Sequence, residues 1–153
     1  MFDSLFKKRR PEVNEDPTFG QLTFVEAMNP RESFWEGCGR FSPIDSDVTY
    51  WIKAGNAGPS ESHRNVYRSI ESRYSELLPL VTPLLHREYA AGMAGSDVPL
   101  GQPTFSLDIV HVPEVESDSM EWSLEFFCDQ WDDALFAVQM KGWQPTGEIS
   151  VMD

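Results

Sequence analysis

The chain has 153 residues, a length typical of one domain with its own hydrophobic core. Its 12 Lys and Arg against 25 Asp and Glu give a formal charge of -13. This charge argues against a general nucleic-acid binder, because phosphate contacts need a positive surface. Hydrophobic residues make up 41%, which excludes a fully disordered chain, and no apolar run approaches the ~18 residues of a membrane span.

The first 16 residues are predicted to form a flexible tail and linker ahead of a single domain over 17–153. An apolar start at residues 2–6 precedes the cations of residues 7–10, which reverses the order found in a secretory signal. We therefore expect a cytoplasmic protein. The same start allows weak contact of the tail with an anionic membrane surface. The polar segment 11–17 has proline at both ends and is typical of a linker.

Three strands are predicted before the helical region, over residues 18–25, 33–41 and 47–53. The third alternates most regularly, with Val48, Tyr50 and Ile52 on one face and Trp51 on the other. Short, turn-rich links join the three segments. Such links favour antiparallel pairing of consecutive strands.

A helical region follows Gly58-Pro59, a pair that suits a helix start. Apolar residues then recur at steps of three, four or seven from Val66 to Leu85, which predicts one buried helical stripe. Pro79 and Pro83 lie inside this region and each removes a backbone donor. We therefore expect a kinked helix, or two helices that divide just before Pro79.

Three further strands are predicted over 104–112, 120–128 and 134–141, with a possible short fourth over 148–152. In the first, Phe105, Leu107 and Ile109 are predicted to share a face, and in the second Glu121, Ser123 and Glu125 are predicted to point outward. The predicted fold class is α+β. A mainly antiparallel sheet in the order βββ-α-βββ(β) packs one face against the helix, which is kinked or split.

Negative charge is concentrated in residues 93–153, which hold 12 acids and the single cation Lys141. One interpretation is a solvated acidic surface that aids solubility. The other is a docking surface for a basic protein partner, with an exposed Trp131 as anchor. The candidate contact residues are Glu121, Glu125, Asp129, Trp131, Asp132 and Asp133.

An alternative hypothesis is a small-ligand site or enzyme cleft at the helix start, formed by Trp51, His63 and Arg64. Its basis is the glycine-rich approach to a helix N-terminus, which attracts anions. The other interpretation of His63 is a polar surface histidine. No catalytic motif occurs, and the three histidines lack metal-ligand spacing, so we assign no catalytic residue and expect neither a metal nor a cofactor.

Several short motifs share one layout along the chain: Phe19-Gly20-x-Leu22, Trp35-Glu36-Gly37, Gly58-Pro59, Trp122-x-Leu124 and Phe136-x-Val138. With them the chain resembles, over residues 17–152, a group of small bacterial α+β domains that look like the immunity-type proteins found beside polymorphic toxins. The resemblance implies a bacterial, non-enzymatic, toxin-neutralising binding protein. It implies no catalytic residues. A structural subunit of a phage or secretion assembly is a further alternative.

Overall fold

The predicted order of strands, helix and strands is confirmed by a computed structural model, which describes residues 12–95, 101–131 and 134–152. The described residues form one long helix, α1 (Glu61–Gly92), and two short 3-10 turns, Pro30–Glu32 and Ser42–Ile44. The strands are β1 (Val13–Asp16), β2 (Gly20–Val25), β3 (Phe34–Phe41), β4 (Ser46–Ile52), β5 (Phe105–Val112), β6 (Glu121–Cys128), β7 (Leu135–Lys141) and β8 (Gln144–Met152).

These eight strands join in a single sheet whose order follows the chain from β1 to β8. Neighbouring strands are antiparallel at every junction except that between β4 and β5, which are parallel. The chain leaves β4, runs through α1 and returns to the sheet at β5. A crossover of this kind brings the chain back in its original direction, which accounts for the one parallel junction.

The first strand lies where the sequence predicted a linker. Val13–Asp16 pairs with β2, so the interpretation of residues 13–16 as a flexible linker is wrong. The Asp16 carboxylate accepts hydrogen bonds from the backbone amides of Thr18 and Phe19 at 2.8 and 3.1 Å. These bonds close the turn between the two strands. Residues 1–11, with the predicted membrane contact of the tail, lie outside the described residues.

Helix α1 covers one face of the sheet with a stripe of side chains spaced three or four residues apart. Its buried residues are His63, Val66, Tyr67, Ile70, Tyr74, Leu77, Val81, Leu85 and Tyr89. They share one core cluster with strand residues from both halves of the chain, such as Leu22 and Leu124. Burying each large apolar side chain stabilises the fold by ~1.5–3 kcal/mol. Packing against the sheet therefore holds α1 in place.

The two prolines do not divide the helix, so of the two predicted forms, kinked or split, the split form is wrong. Both lie inside an uninterrupted α1 and both are exposed. The buried stripe continues past them through Leu77, Val81 and Leu85, so contact with the sheet is kept on the opposite side. The Thr82 hydroxyl donates to the Leu78 carbonyl at 2.7 Å. Carbonyls that lose their partners to proline on the exposed side can still bond to water.

Replacing Pro79 by alanine is expected to raise the free energy of unfolding by about 1–2 kcal/mol. Alanine restores a backbone donor inside the helix and removes the crowding of the preceding turn. Part of the gain is offset because the unfolded chain becomes more flexible. Urea denaturation measures the change, with Glu76→Ala as an exposed control on the same helix. A loss of stability in Pro79→Ala would contradict this account of the helix.

Candidate functional site

The candidate site lies on the face of the sheet opposite α1. No α-helix of the residues in 12–95, 101–131 and 134–152 covers this face, which is here called the helix-free face. Side chains alternate between the two faces of a strand, and Tyr50 and Ile52 belong to the core beneath α1. Trp51, which lies between them in β4, therefore points to the helix-free face. Its cross-strand partners are Glu36 in β3 and His111 in β5.

A β-bulge in β5 places His111 on the helix-free face. The register with β6 shifts between Leu107 and Ile109, because Asp108 is an extra residue in β5. Beyond the bulge, Val110 joins the core and Ile109 does not. The predicted placement of Ile109 on the same face as Leu107 is therefore wrong. Bulges of this kind re-aim the side chains that follow them.

His111 forms a close pair with Glu125, and this pair is the centre of the site. The His111 Nε2 donates to Glu125 Oε1 at 2.7 Å. Glu125 is only 3% exposed, and its second oxygen, Oε2, is buried with no hydrogen-bond partner among the described residues. Its direct neighbours across the strands, Ile109 and Ala137, carry no side-chain donor. The carboxylate is thus fixed in place but only half satisfied.

Three rings on adjacent strands line up beside this pair, and we call them the aromatic wall: Phe34, Trp51 and His111. The ring centroids of Phe34 and Trp51 are 5.0 Å apart, and those of Trp51 and His111 are 4.9 Å apart. The Trp51 Nε1 donates to Glu36 Oε2 at 2.8 Å, which fixes the indole ring. The wall offers a rigid aromatic surface next to the Glu125 carboxylate.

An open cavity of about 890 Å³ lies over these residues, here called the Glu125 cavity. Its walls include the 3-10 turn before β3 and the loop of residues 113–120 between β5 and β6. Its floor is formed by residues of β5 to β8, among them Glu125, Ala137 and Ser150. Its charged lining residues are Arg31, Glu32, Lys53, Glu114, Glu121 and Glu125. Acids therefore outnumber cations around a concave surface.

The chemistry that this arrangement supports is the binding of a hydrogen-bond donor. A carboxylate oxygen without a partner accepts a hydrogen bond from an N–H or O–H group. An aromatic wall packs against a flat or apolar group of the ligand. Within the described part of the chain, no serine or cysteine side chain is hydrogen-bonded to His111. No group of three or more His, Cys, Asp or Glu among those residues has the geometry of a metal site.

The four predicted contact residues that the structure describes do not form one surface. Glu121 is exposed and lines the Glu125 cavity with Glu125, which was predicted to point outward and is buried. Exposed Asp129 belongs to the turn after β6, where its carboxylate accepts from the Thr104 amide at 2.8 Å. Trp131 follows it in that turn. Asp132 and Asp133 lie outside the described residues.

Trp131 is not the exposed anchor that was predicted. Its ring is half-buried and packs edge-on against Tyr89 of α1 and Phe136 of β7. A Cβ atom added to Gly92 would lie 2.5 Å from the Trp131 ring, so the helix end approaches the indole at a position without a side chain. Trp131 therefore holds the C-terminal end of α1 against the sheet.

The predicted cleft at the helix start does not bring its three residues together. Trp51 lies on the helix-free face, whereas His63 and Arg64 belong to the first turn of α1. His63 is 3% exposed, so it is not a surface histidine. Its Nδ1 accepts from the Ser60 amide at 3.0 Å and its Nε2 donates to the Lys53 carbonyl at 2.8 Å. His63 therefore caps the helix and ties it to the end of β4.

Arg64 has a structural partner as well. Its guanidinium binds the Asp16 carboxylate at 2.9 Å, and the Asp16 side chain is only 2% exposed. Burial alone would raise the pKa of Asp16, but the hydrogen bonds from Arg64 and from the Thr18 and Phe19 amides outweigh it and hold that pKa below its ordinary value. The ion pair joins β1 to the start of α1.

His111 and the depth of Glu125 are the features that sequence reasoning missed. One signal was present, because Ile109 and Val110 are adjacent apolar residues that break the alternation of β5. Two consecutive apolar residues in an otherwise alternating strand are typical of a bulge. The pairing of His111 with Glu125 depends on the register of two strands, which no local pattern encodes.

The chain was compared with protein-family models, with curated proteins and with solved structures, and nothing matches it. Among the residues that the structure describes, no helix has both the length and the apolar character needed to cross a membrane. The geometry of the helix-free face is therefore the basis for a functional hypothesis.

Replacing Asp16 by asparagine is expected to lower the free energy of unfolding by about 2–3 kcal/mol at pH 7, because it breaks a buried ion pair. The native pKa of Asp16 is lowered, so the carboxylate stabilises the fold fully above its unfolded pKa of about 3.9 and loses this effect as the pH falls through the native pKa. Urea denaturation at pH 7 and near pH 3 should show that the difference in unfolding free energy between the unsubstituted protein and Asp16→Asn is smaller in acid. Asp45→Asn, at the exposed Arg40–Asp45 pair, serves as control. A difference that does not change with pH would contradict the role of the ion pair.

Replacing Glu125 by glutamine is expected to raise the free energy of unfolding by about 1 kcal/mol. The amide oxygen keeps the bond from His111, and the buried negative charge is removed. The new amide NH2 group has no acceptor on its cross-strand neighbours, which offsets part of the gain. Urea denaturation at pH 7 measures the change, beside Glu121→Gln at an exposed position of the same strand. A loss of more than about 2 kcal/mol, comparable with a broken buried network, would assign Glu125 a structural role instead.

Proposed function

We propose that the protein is a non-enzymatic binding domain whose helix-free face receives a positively charged partner protein. The observation that carries the proposal is the Glu125 carboxylate, which is buried under an open cavity with one oxygen unpartnered among the described residues. A buried charge that lacks part of its hydrogen-bonding is costly. Such a cost is expected where a ligand supplies the missing donor.

The charge of the chain supports a basic partner. Four glutamates and two cations line the Glu125 cavity, and the whole chain has a formal charge of -13. Complementary charge steers association and raises the on-rate more than it raises the affinity. Salt screens interactions between exposed charges, so association of this kind weakens as ionic strength rises.

The composition of the face supports a protein as the partner. The aromatic wall lies among polar and charged residues, and Val115 and Met152 at the edge of the cavity are exposed apolar side chains. Aromatic residues and methionine are enriched in protein interfaces relative to the rest of the surface. The immunity-type role implied by the sequence resemblance belongs to this proposal, with a basic toxin domain as the partner and the bacterial cytoplasm as the location.

A small-molecule ligand is the second candidate function, and the size of the Glu125 cavity favours it. A volume of about 890 Å³ falls within the range of ~300–1,000 Å³ common for ligand pockets. The ligand site of this second candidate lies on the helix-free face and not at the helix start, where it was predicted. His63 and Arg64 at the helix start already have structural partners.

Reversing a charge on the helix-free face is expected to weaken partner binding. The partner is first captured on the tagged protein from its native cells and is then purified, and its association is measured at 50 and 300 mM salt. Glu121→Lys, at an exposed position of the cavity wall, should lower the affinity at least tenfold at low salt, mainly through the on-rate.

The matched control is Glu76→Lys, which makes the same charge change on the exposed side of α1 and should alter the affinity less than twofold. Equal losses of affinity in both variants would show that the effect comes from the overall charge of the protein. That result would contradict the assignment of the helix-free face as the binding surface. Failure to recover any stoichiometric basic protein would overturn the protein-binding proposal and favour the small-molecule candidate.

A further inference from the structure

The Glu125 cavity has a more specific chemistry than general attraction for positive charge. We infer that it holds the guanidinium group of one arginine side chain of the bound partner. This inference rests on the proposed function and identifies the group that its site receives. Three features carry it: the half-satisfied Glu125 carboxylate, the small residue beside it, and the aromatic wall.

The carboxylate is preorganised to accept one more hydrogen bond. His111 Nε2 occupies Oε1 at 2.7 Å and fixes the orientation of the group, which leaves Oε2 without a partner among the described residues. The cross-strand neighbour on β7 is Ala137, whose methyl group neither fills the space of a larger side chain nor donates a hydrogen bond. A ligand that enters the cavity would supply the missing donor.

A charged donor satisfies this oxygen better than a neutral one. Hydrogen bonds between ionised partners are roughly twice as strong as neutral ones, and the low dielectric of a buried site strengthens them further. The cationic lining residues, Arg31 and Lys53, make no hydrogen bond or ion pair with Glu125 in the described structure. A cation from a partner would remove the cost of the buried charge.

A guanidinium group fits the cavity better than an ammonium group. Guanidinium is planar and weakly hydrated, and it stacks on aromatic faces while donating from its edge. Trp51 lies next to the pair, its indole held by Glu36, and its ring contacts that of His111. An arginine could therefore pack along the aromatic wall while one N–H reaches Glu125.

Further acceptors for a guanidinium group line the same cavity. Ser123, Gln139 and Ser150 line it and carry hydroxyl or amide oxygens. Arginine has five N–H donors in a fixed fork, so recognition by several oxygens from different strands is geometrically selective. Lysine, a compact and strongly hydrated point charge, gains less from such a surface.

The test is an NMR titration of the full chain with capped single residues. The probe is N-acetyl-arginine methylamide; N-acetyl-citrulline methylamide has the same shape without the charge, and N-acetyl-lysine methylamide has the charge without the planar fork. The arginine probe should shift the Trp51 indole and Glu125 carboxyl resonances in a saturable way. The citrulline probe should bind at least tenfold more weakly, and the lysine probe at least threefold more weakly.

Glu125→Gln, which is expected to fold, should lower the affinity for the arginine probe at least tenfold, whereas Glu76→Gln on α1 should leave it within twofold. Equal binding of citrulline, or no saturable shift at Trp51 and Glu125, overturns the inference. Equal binding of lysine overturns the guanidinium assignment. Displacement of the arginine probe by the captured partner, one molecule for one, supports an arginine side chain as the occupant.

The two proposals fail in different ways. If Glu121→Lys abolishes partner binding and the arginine probe gives no shift, the helix-free face is supported as the binding surface. The guanidinium inference is then wrong. If the arginine probe binds through Glu125 and no partner protein displaces it, the site is assigned to a free guanidinium compound. The protein-binding proposal is then wrong.

Discussion

The one α-helix of the described residues cannot cover both faces of the eight-stranded sheet, and the rest of the described structure depends on this constraint. With 32 residues, α1 is about 48 Å long, and it buries the apolar side chains of both strand groups on one face only. The side chains on the opposite face therefore pack among themselves rather than against α1. Ile109 and Ala137 are buried there outside the main core, beside Ser123 and Glu125. A second, smaller and more polar packing layer therefore lies under the Glu125 cavity.

The crossover through α1 also decides where this second layer forms. It makes β4 and β5 parallel neighbours and so joins the strands before the helix to those after it. Trp51 comes from the first group and Glu125 from the second, and His111 contacts both. The bulge at Asp108 then turns His111 toward Glu125. The site thus exists only in the complete sheet, because neither half of the chain contains all of its members.

Local patterns in the sequence were enough to predict most elements, and long-range register was what they lacked. The alternation of β4 and β6 and the helical stripe from Val66 to Leu85 placed these elements correctly, since each period reflects one buried face. Strand β1 is short and polar, so it shows no such period and is held by pairing with β2 and by the Asp16 turn. The effect of Pro79 depended on which side of α1 faced the sheet. The pairing of His111 with Glu125 depended on the register of β5 and β6. The packed side of α1 and this register are both set by tertiary structure, not by a local pattern.

The treatment of buried polar groups elsewhere in the chain makes the Glu125 oxygen informative. Buried polar groups in folded proteins are nearly always hydrogen-bonded. This chain follows the rule at His63, whose two ring nitrogens both have partners, and at Asp16, which accepts from two amides and from Arg64. Glu125 is equally buried, yet one of its oxygens has no partner in the described structure. Proteins retain such unfavourable groups where function requires them, because substitutions that improve stability there impair activity. The helix start therefore serves the fold, and the proposal of a ligand site rests on the helix-free face.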